Sequence, residues 1–449
     1  MKIRLGVDVA WRAAHQASLA DEQGRFLFVG HRFRTDPDEL DTLWARLPKD
    51  AERIEVVMEP TRNAWVALAA WFRRHGATVV MVPPEQSADL RDYYNKHTKT
   101  DRLDSKVLAR LPLLHPEGLH REDSLGPGDE LKRAVKIRSG LVHRRTACMA
   151  RLDALLEILG PAWIAALGSD MTLTALRFLA RYANPVQVKR LGKARLAAFF
   201  RRSSRQAWAD ERADAVIEAA ATTLRLWGAD AEARLALTLT DEINGFDKRI
   251  GALYDKADPA GIVRSVPGAG RVCAPQILGR LGDPTRFANL AAVRSFAGLV
   301  PAADSSGQAD GHRGPTKAGD CGLREALFIA ADHARKVDPT LAVRYQRLML
   351  TGKHHDWAVC TLAAVLLTRI AACLRAGTHY LLRDTDGRVI TEAQGRANIV
   401  AERYTVPPEV RAARRKVTPH RHPRRNERNE RAKTGVATRS KASPVPQPA

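Results

Sequence analysis

The first hundred residues switch repeatedly between strand-like and helix-like periodicity, and that order constrains the fold more than any other feature of the chain. Ile3 to Ala10 (IRLGVDVA) is a β-branched, apolar run with one acid near its end, the pattern of a strand. His15 to Ala20 and Arg25 to Phe33, joined through the turn residues Asp21 to Gly24, extend it into a hairpin meander. Pro37 to Leu47 has helical character. Arg53 to Glu59 (RIEVVME) is a further strand that ends in an acid ahead of Pro60. Trp65, Leu68, Ala69 and Phe72 then share one helical face. Gly76 stops that helix, and Thr78 to Val82 forms another strand closed by Pro83 and Pro84. Three antiparallel-type strands followed by strand–helix–strand units predict a mixed α/β sheet.

The acids fall where such a sheet can use them. Asp8 lies on the first strand and Glu59 at the end of the fourth; Asp101 and Asp104 sit in KTDRLDSKVLARL, a helix beginning near Thr100. Their i, i+3 spacing puts both carboxylates on one helical face. Four hard oxygen donors suit Mg²⁺ or Mn²⁺. Two such ions roughly 4 Å apart can stabilise both the attacking and the leaving oxygen of a phosphoryl displacement. Each acid alone has a plainer reading. A strand acid is commonly a turn or surface residue, and Asp101 with Asp104 suits a solvated helix N-terminus. The case rests on the conjunction of the four with an RNase H-like order of elements.

Charge narrows the partner. Lys and Arg number 72 against 50 Asp and Glu, a formal net charge of +22, so a polyanion is the expected partner. A membrane surface is the weaker reading. The N-terminus leads straight into charged, strand-like sequence without the pattern of a signal peptide. The most apolar late stretch, Trp357 to Leu374, is broken by Arg369 and reads as a buried helix. Cys148, Cys273, Cys321, Cys360 and Cys373 are odd in number and contain no CxxC pair, which favours reduced thiols in a cytoplasmic, nucleoid-associated protein.

At this point the strings GVDVA, VVMEPTRNAW, VPP and KTDRLDSKVLAR are similar to the DEDD transposases of bacterial insertion sequences. The subgroup is IS family one-hundred-and-ten, whose studied members are recombinases guided by a bridge RNA. The resemblance implies that Asp8, Glu59, Asp101 and Asp104 are the metal-binding acids, that Mg²⁺ or Mn²⁺ is the cofactor, and that DNA and a structured guide RNA are partners. The four-acid layout also resembles RuvC Holliday-junction resolvases, so by itself it supports only a RuvC-like nuclease fold. A structure-selective junction endonuclease is therefore the alternative reading.

Leu131 to Leu159 predicts a long helix that interleaves Arg133, Lys136, Arg138, Arg144, Arg145 and Arg151 with apolar residues, either a phosphate-facing surface or a solvated amphipathic helix. Pro161 to about Arg205 predicts shorter helices. Arg212 to Lys256 suits a helical hairpin or coiled-coil arm that carries a dimer contact. From Val266, the string VPGAGRVCAPQILGRLGD has the form of a hairpin between helices. Its Gly268, Gly270 and Arg271 are candidate backbone contacts to nucleic acid. Ala302 to Gly322 reads as a functional loop and Leu323 to Arg335 as a helix.

PGAG, FAGLVP, SSG, the step from Lys317 to Gly319 and LREAL resemble the C-terminal transposase domain of the same family. The resemblance implies a serine nucleophile within SSG, at Ser306 or alternatively Ser305, with Arg313 and Lys317 as phosphate contacts. The separation of the two centres in sequence predicts a homo-oligomer, a dimer or tetramer, in which the acids of one protomer meet the serine domain of another. Ala302, Ala303 and Ala318 stand where the family often has basic residues; if those hold phosphate, this chain either shifts that work elsewhere or is weakened. From about Gly395 the chain turns basic and Pro-rich and reads as a disordered tail. The expected organisation is a RuvC-like catalytic domain over 1–120, a helical linker and coiled-coil arm over 121–260, a mainly α transposase domain with a helix-hairpin-helix-like element over 261–385, and a tail over 386–449.

Overall fold

Alternation along the first strand decides which side of the sheet each helix covers. The computed structural model describes residues 1–82, 101–116, 119–121, 127–168, 171–182, 184–203, 210–223, 230–306 and 309–415. In β1 (Lys2–Asp8), Ile3, Leu5 and Val7 are fully buried. They pack with Leu40 and Leu43 of α1 (Pro37–Ala45) and Leu68 and Phe72 of α2 (Ala64–Arg74). The sheet is completed by β2 (His15–Ala20), β3 (Phe26–Phe33), β4 (Arg53–Met58), β5 (Thr78–Met81) and a short β6 (His120–Arg121), in the order β3-β2-β1-β4-β5-β6. β1, β4 and β5 pair in parallel and the other pairs are antiparallel. The mixed sheet predicted from sequence is therefore present, extended by β6, which the sequence reading did not contain.

The opposite face is covered by α3 (Asp101–Leu114). Its closest approach is made possible by Gly6, where a Cβ would lie 2.2 Å from the Ser105 carbonyl oxygen and 2.3 Å from the Ala109 nitrogen. A glycine inside a strand is the usual device for such a backbone approach. The Ser18 and Ser105 hydroxyls, both buried, meet at 2.7 Å. Arg110 Nε donates to the Gly24 carbonyl in the turn between β2 and β3. Thus Arg110 lies toward the start of β1 and Ser105 over Gly6, so α3 runs antiparallel to β1 and its N-terminal end lies toward Asp8.

Two long helices link the rest of the chain. α4 (Pro127–Leu159) packs antiparallel to α9 (Asp230–Ala257), with ion pairs from Arg138 to Asp247 and from Arg151 to Glu232. One end of the pair forms a core with α5 (Pro161–Leu167), α6 (Leu173–Tyr182), α7 (Pro185–Ser203) and α8 (Asp210–Thr222). At the other end Leu131, Val135, Leu253 and Tyr254 belong to the core of the C-terminal region. Arg212 to Lys256 is consequently not one hairpin: α8 packs on α5 and α7, whereas α9 takes α4, far away in sequence, as its partner.

The C-terminal region contains α10 (Cys273–Leu281), α11 (Leu290–Phe296), β7 (Pro301–Ser306), β8 (Ala309–Pro315), α12 (Cys321–Ala334), α13 (Pro339–Leu350) and α14 (His355–Ala376). Two expectations are corrected here. Ala302 to Gly322, expected as a functional loop, is mostly an antiparallel hairpin of β7 and β8. The chain is also not a tail from 386 onward. It forms α15 (Glu392–Ala401), closed by a Thr391–Gln394 capping box, and α16 (Pro408–Arg415). α15 docks through Gly395, where a Cβ would meet the Val337 carbonyl at 2.1 Å. The segment beyond Arg415, with His420 and His422, lies outside the described residues. α14 is long and apolar enough by composition to cross a membrane despite Arg369. Here Val359, Leu362, Leu366 and Ile370 are fully buried in the C-terminal core, and Arg369 pairs with the buried Asp338 at 3.0 Å.

Candidate catalytic centres

The first centre follows from register. Gly6 pairs with Val57 and Val7 with Met58 in parallel, so Asp8 and Glu59 stand at the same edge of adjacent strands. Val7 and Met58 belong to the core under α1 and α2. Strand alternation therefore assigns Asp8 and Glu59 to the α3 side. α3 brings Asp104, half-buried one residue before Ser105, to that same edge. Asp101 is the first described residue of α3. Asp8, Glu59 and Asp104 thus share one end and one face of the sheet. Among the described residues they do not form a closed group of three metal ligands. Their donor set, all hard carboxylate oxygen, fits a divalent cation of the Mg²⁺ or Mn²⁺ type.

Glu55 shows what a purely structural acid looks like in this sheet. It lies four residues before Glu59 on the same face of β4 and is held by Lys2 at 3.0 Å, Arg53 at 3.2 Å and Arg4 at 3.5 Å. Those cations belong to the opposite edge, where β1 and β4 begin. The sequence had already pointed to Glu59, which ends the strand, and the ion pairs of Glu55 account for the difference.

The loop that follows Asp8 is shaped by His15. Its Nδ1 accepts from the Ala10 N–H at 3.1 Å, and its Nε2 lies 2.9 Å from the Thr35 hydroxyl. Burial holds this imidazole below the usual histidine range, against a smaller opposing effect of Glu39, so the neutral ring serves as acceptor. None of these partners was identified from sequence, because a lone histidine carries no periodic signal.

The second region is built around close backbone contacts. Gly268 (φ +82°) lies against α12: a Cβ there would meet the Ala330 carbonyl oxygen at 2.2 Å. Its requirement is packing, whereas Gly270 and Arg271 are exposed and open. Gly298 and Gly319, from the FAGLVP and KAGD strings, abut directly, since a Cβ on Gly319 would lie 2.4 Å from the Phe296 oxygen and 2.8 Å from the Gly298 nitrogen. This fixes the base of the β7–β8 hairpin. Asp320 caps α12 and pairs with the buried Arg280 at 2.8 Å, and Arg280 also reaches the Ser139 hydroxyl of α4 at 3.1 Å.

Ser305 and Ser306 are the last residues of β7, with Ser305 opposite Asp310 and Ser306 opposite Ala309 across the hairpin. Gly307 and Gln308 lie outside the described residues. Arg313 is in β8 opposite Ala302, and Lys317 is exposed at the hairpin base in a left-handed conformation (φ +57°). The serines and the acids belong to separate structural units of this chain.

Comparison with known proteins places both regions. Residues 5–161 match the DEDD transposase model of the IS110 type, and residues 260–346 match the transposase model of the IS116/IS110/IS902 family. The chain is 26% identical over 388 residues to the insertion element IS110 43.6 kDa protein of Streptomyces coelicolor, covering 84% of this chain and 95% of that protein. It is 28% identical to the insertion element IS900 42 kDa protein of Mycobacterium paratuberculosis, covering 84% and 96%. Identity to the insertion element IS116 44.8 kDa protein of Streptomyces clavuligerus is 26%, covering 83% and 95%. Two transposase family models, over residues 5–161 and 260–346, together take in more than half of the sequence, and this chain belongs to the IS110/IS116 transposase family.

Proposed function

We propose that the chain moves its insertion element by cutting and rejoining DNA with two centres: the acids Asp8, Glu59, Asp101 and Asp104 on an RNase H-like sheet, and a serine, Ser306 or Ser305, on the β7–β8 hairpin. The observation that carries the reading is the contact of α3 on Gly6. It sets the described N-terminal end of α3 toward the edge where β1 and β4 deliver Asp8 and Glu59. These four carboxylates would hold the divalent ion, which when bound would supply positive charge to neutralise the negative charge developing on the phosphodiester oxygens.

The serine hydroxyl is the attacking group. Its Oγ forms a bond to phosphorus as the bond from phosphorus to the 3′ oxygen breaks, and the displaced 3′ oxygen takes up the proton. The product is a phosphoserine linkage that conserves the energy of the broken strand. Strand exchange reverses the step on a new 3′-hydroxyl. Arg313, in β8, and Lys317, at the hairpin base, would hold phosphate oxygens. Gly270 and Arg271, open to solvent, suit a backbone contact to nucleic acid. Because the acids and the serines sit on separate units, the reading places them on one scissile phosphate through oligomerisation, the acids of one protomer facing the serine of another. The net charge of +22 suits a second polyanion as well, a structured guide RNA that selects the target.

The test is to incubate the full chain, Mg²⁺, the element-end DNA and RNA transcribed beside the reading frame, then map any covalent protein–DNA adduct by peptide mass spectrometry. The expected adduct is on Ser306 or Ser305 and disappears in the corresponding alanine variant. Undiminished cutting by both Ser306→Ala and Ser305→Ala would instead favour a junction endonuclease that uses only the acids.

A further inference from the structure

Beside the acids, the loops that follow β1 and β4 meet around an exposed indole. Trp11 lies three residues beyond Asp8 and is 51% exposed, the most solvent-open tryptophan among the described residues. Two guanidiniums sit over its ring, Arg12 with Cζ at 4.1 Å from the centroid and Arg62 with Cζ at 4.0 Å. Arg62 lies three residues beyond Glu59, so both loops leave the sheet at the edge that carries the acids. Arg62 has φ +50°, a left-handed conformation that an L residue adopts only when its surroundings hold it there. It is held by its carbonyl, which accepts from Trp65 Nε1 at 3.1 Å, and by the turn in which the Ala64 N–H donates to the Thr61 carbonyl. The Trp11 loop is tied down independently by the Ala10–His15–Thr35 hydrogen bonds.

An exposed tryptophan on a fixed loop, faced by cations that also sit on fixed loops, does not belong to any core. We propose that Trp11, Arg12 and Arg62 form a stacking site for an unpaired nucleobase beside the carboxylates. The indole face matches the π-face of any base, so the site is tolerant of sequence. A base that stacks there displaces a guanidinium from the ring, and the freed guanidinium is placed to take the flanking phosphate by a charge-assisted hydrogen bond. The occupant is a single-stranded nucleotide and not duplex, because a paired and stacked base offers no free face. Trp11 then acts as a positioning residue, holding the strand open next to the phosphate to be cut. The proposal rests on the reading of the neighbouring acids as a DNA-processing centre.

The test compares full-length wild type with Trp11→Ala, Trp11→Phe and Arg62→Ala, measuring binding to a short single strand and its matched duplex over a range of salt. Trp11→Ala should weaken single-strand binding about ten-fold, the loss of one stacked base, leave duplex binding nearly unchanged, and keep the salt slope. Trp11→Phe should restore most of the affinity. Arg62→Ala should lower the salt slope by about 0.7, one phosphate contact on a single strand. Photocross-linking with 5-iodouracil strands should map to Trp11. Single-strand binding by Trp11→Ala equal to wild type, or equal losses on duplex and single strand, would overturn the proposal. Failure of the underlying reading has a separate signature: Asp8→Asn cutting as wild type, whatever Trp11→Ala binds.

Discussion

Gly6→Ala is the substitution that most directly probes how α3 positions the acids. The new methyl carbon would lie 2.2 Å from the Ser105 carbonyl oxygen, 2.3 Å from the Ala109 nitrogen and 2.9 Å from the Ala109 Cα. All three are backbone atoms, so no side chain can rotate away. To reach even 3.0 Å the helix must retreat by about 0.8 Å, stretching the Ser18–Ser105 hydrogen bond and opening the small core of Val57, Val80, Leu108 and Leu111. Overpacking of this kind costs about 1–3 kcal/mol, and rigid backbone on one side argues for the upper end. A loss of about 3 kcal/mol would lower Tm on the order of 10 °C. The same displacement moves Asp104 relative to Asp8 and Glu59, and a shift near 1 Å at a reacting centre can cost on the order of a hundred-fold in rate. Calorimetry and single-turnover strand cleavage read the two effects. Gly245→Ala in α9, where the added carbon meets nothing within 4 Å, is the control and should be neutral or stabilising by up to about 1 kcal/mol. A Gly6→Ala protein with wild-type Tm and wild-type cleavage would refute the placement of α3.

Three further outcomes follow. Gly268→Ala should destabilise the C-terminal region by about 2–3 kcal/mol in denaturant unfolding without nucleic acid, because the methyl would strike the Ala330 carbonyl and φ is +82°; a defect seen only in DNA binding would instead restore Gly268 as a phosphate contact. Arg280→Met should cost about 3 kcal/mol in the same assay, since it leaves Asp320 without its partner and uncouples α10 from Ser139 of α4; unchanged stability would contradict that role. His15 makes stability fall with acid. Its folded pKa is below the unfolded value of 6.5, so the unfolded chain binds the extra proton. This contribution is complete above pH 6.5 and is lost as pH falls through the folded value. Burial acts in the same direction on His31 and His355, so His15→Gln should reduce, without abolishing, the slope of stability against pH below 6.5; an unchanged slope would count against the Ala10–His15–Thr35 arrangement.

The sheet was legible in the sequence because IRLGVD and RIEVVME are short runs rich in β-branched and apolar residues, and the acid closing each run stands out against it. The hairpin at β7 and β8 was not, because AADSSG and ADGHRG contain none of the β-branched or aromatic residues that signal strands, and the pairing is fixed from outside by the Gly298–Gly319 contact. The α4–α9 pairing had no local signal either. Each helix is amphipathic alone, and which helix covers it depends on chain far away in sequence. α15 was missed because Ile399 and Val400 are its only large apolar side chains, and its anchor is the absence of a side chain at Gly395. Of the four acids, sequence supplied the identities. The structure added that Asp8, Glu59 and Asp104 reach one edge and one face, and that Glu55, chemically indistinguishable, belongs to the other edge.

The central claim is that carboxylates from β1, β4 and α3 act together on one phosphodiester through a divalent ion. Calorimetric titration of the full chain with Mn²⁺, paired with cleavage of element-end DNA in the same preparations, tests it most directly on Asp8→Asn, Glu59→Gln and Asp104→Asn. The account predicts that each variant, folded as judged by Tm, loses most of its Mn²⁺ affinity and its cleavage together, while Glu55→Gln keeps both. Cleavage that persists in any of the three, or that proceeds equally in excess chelator, would contradict it.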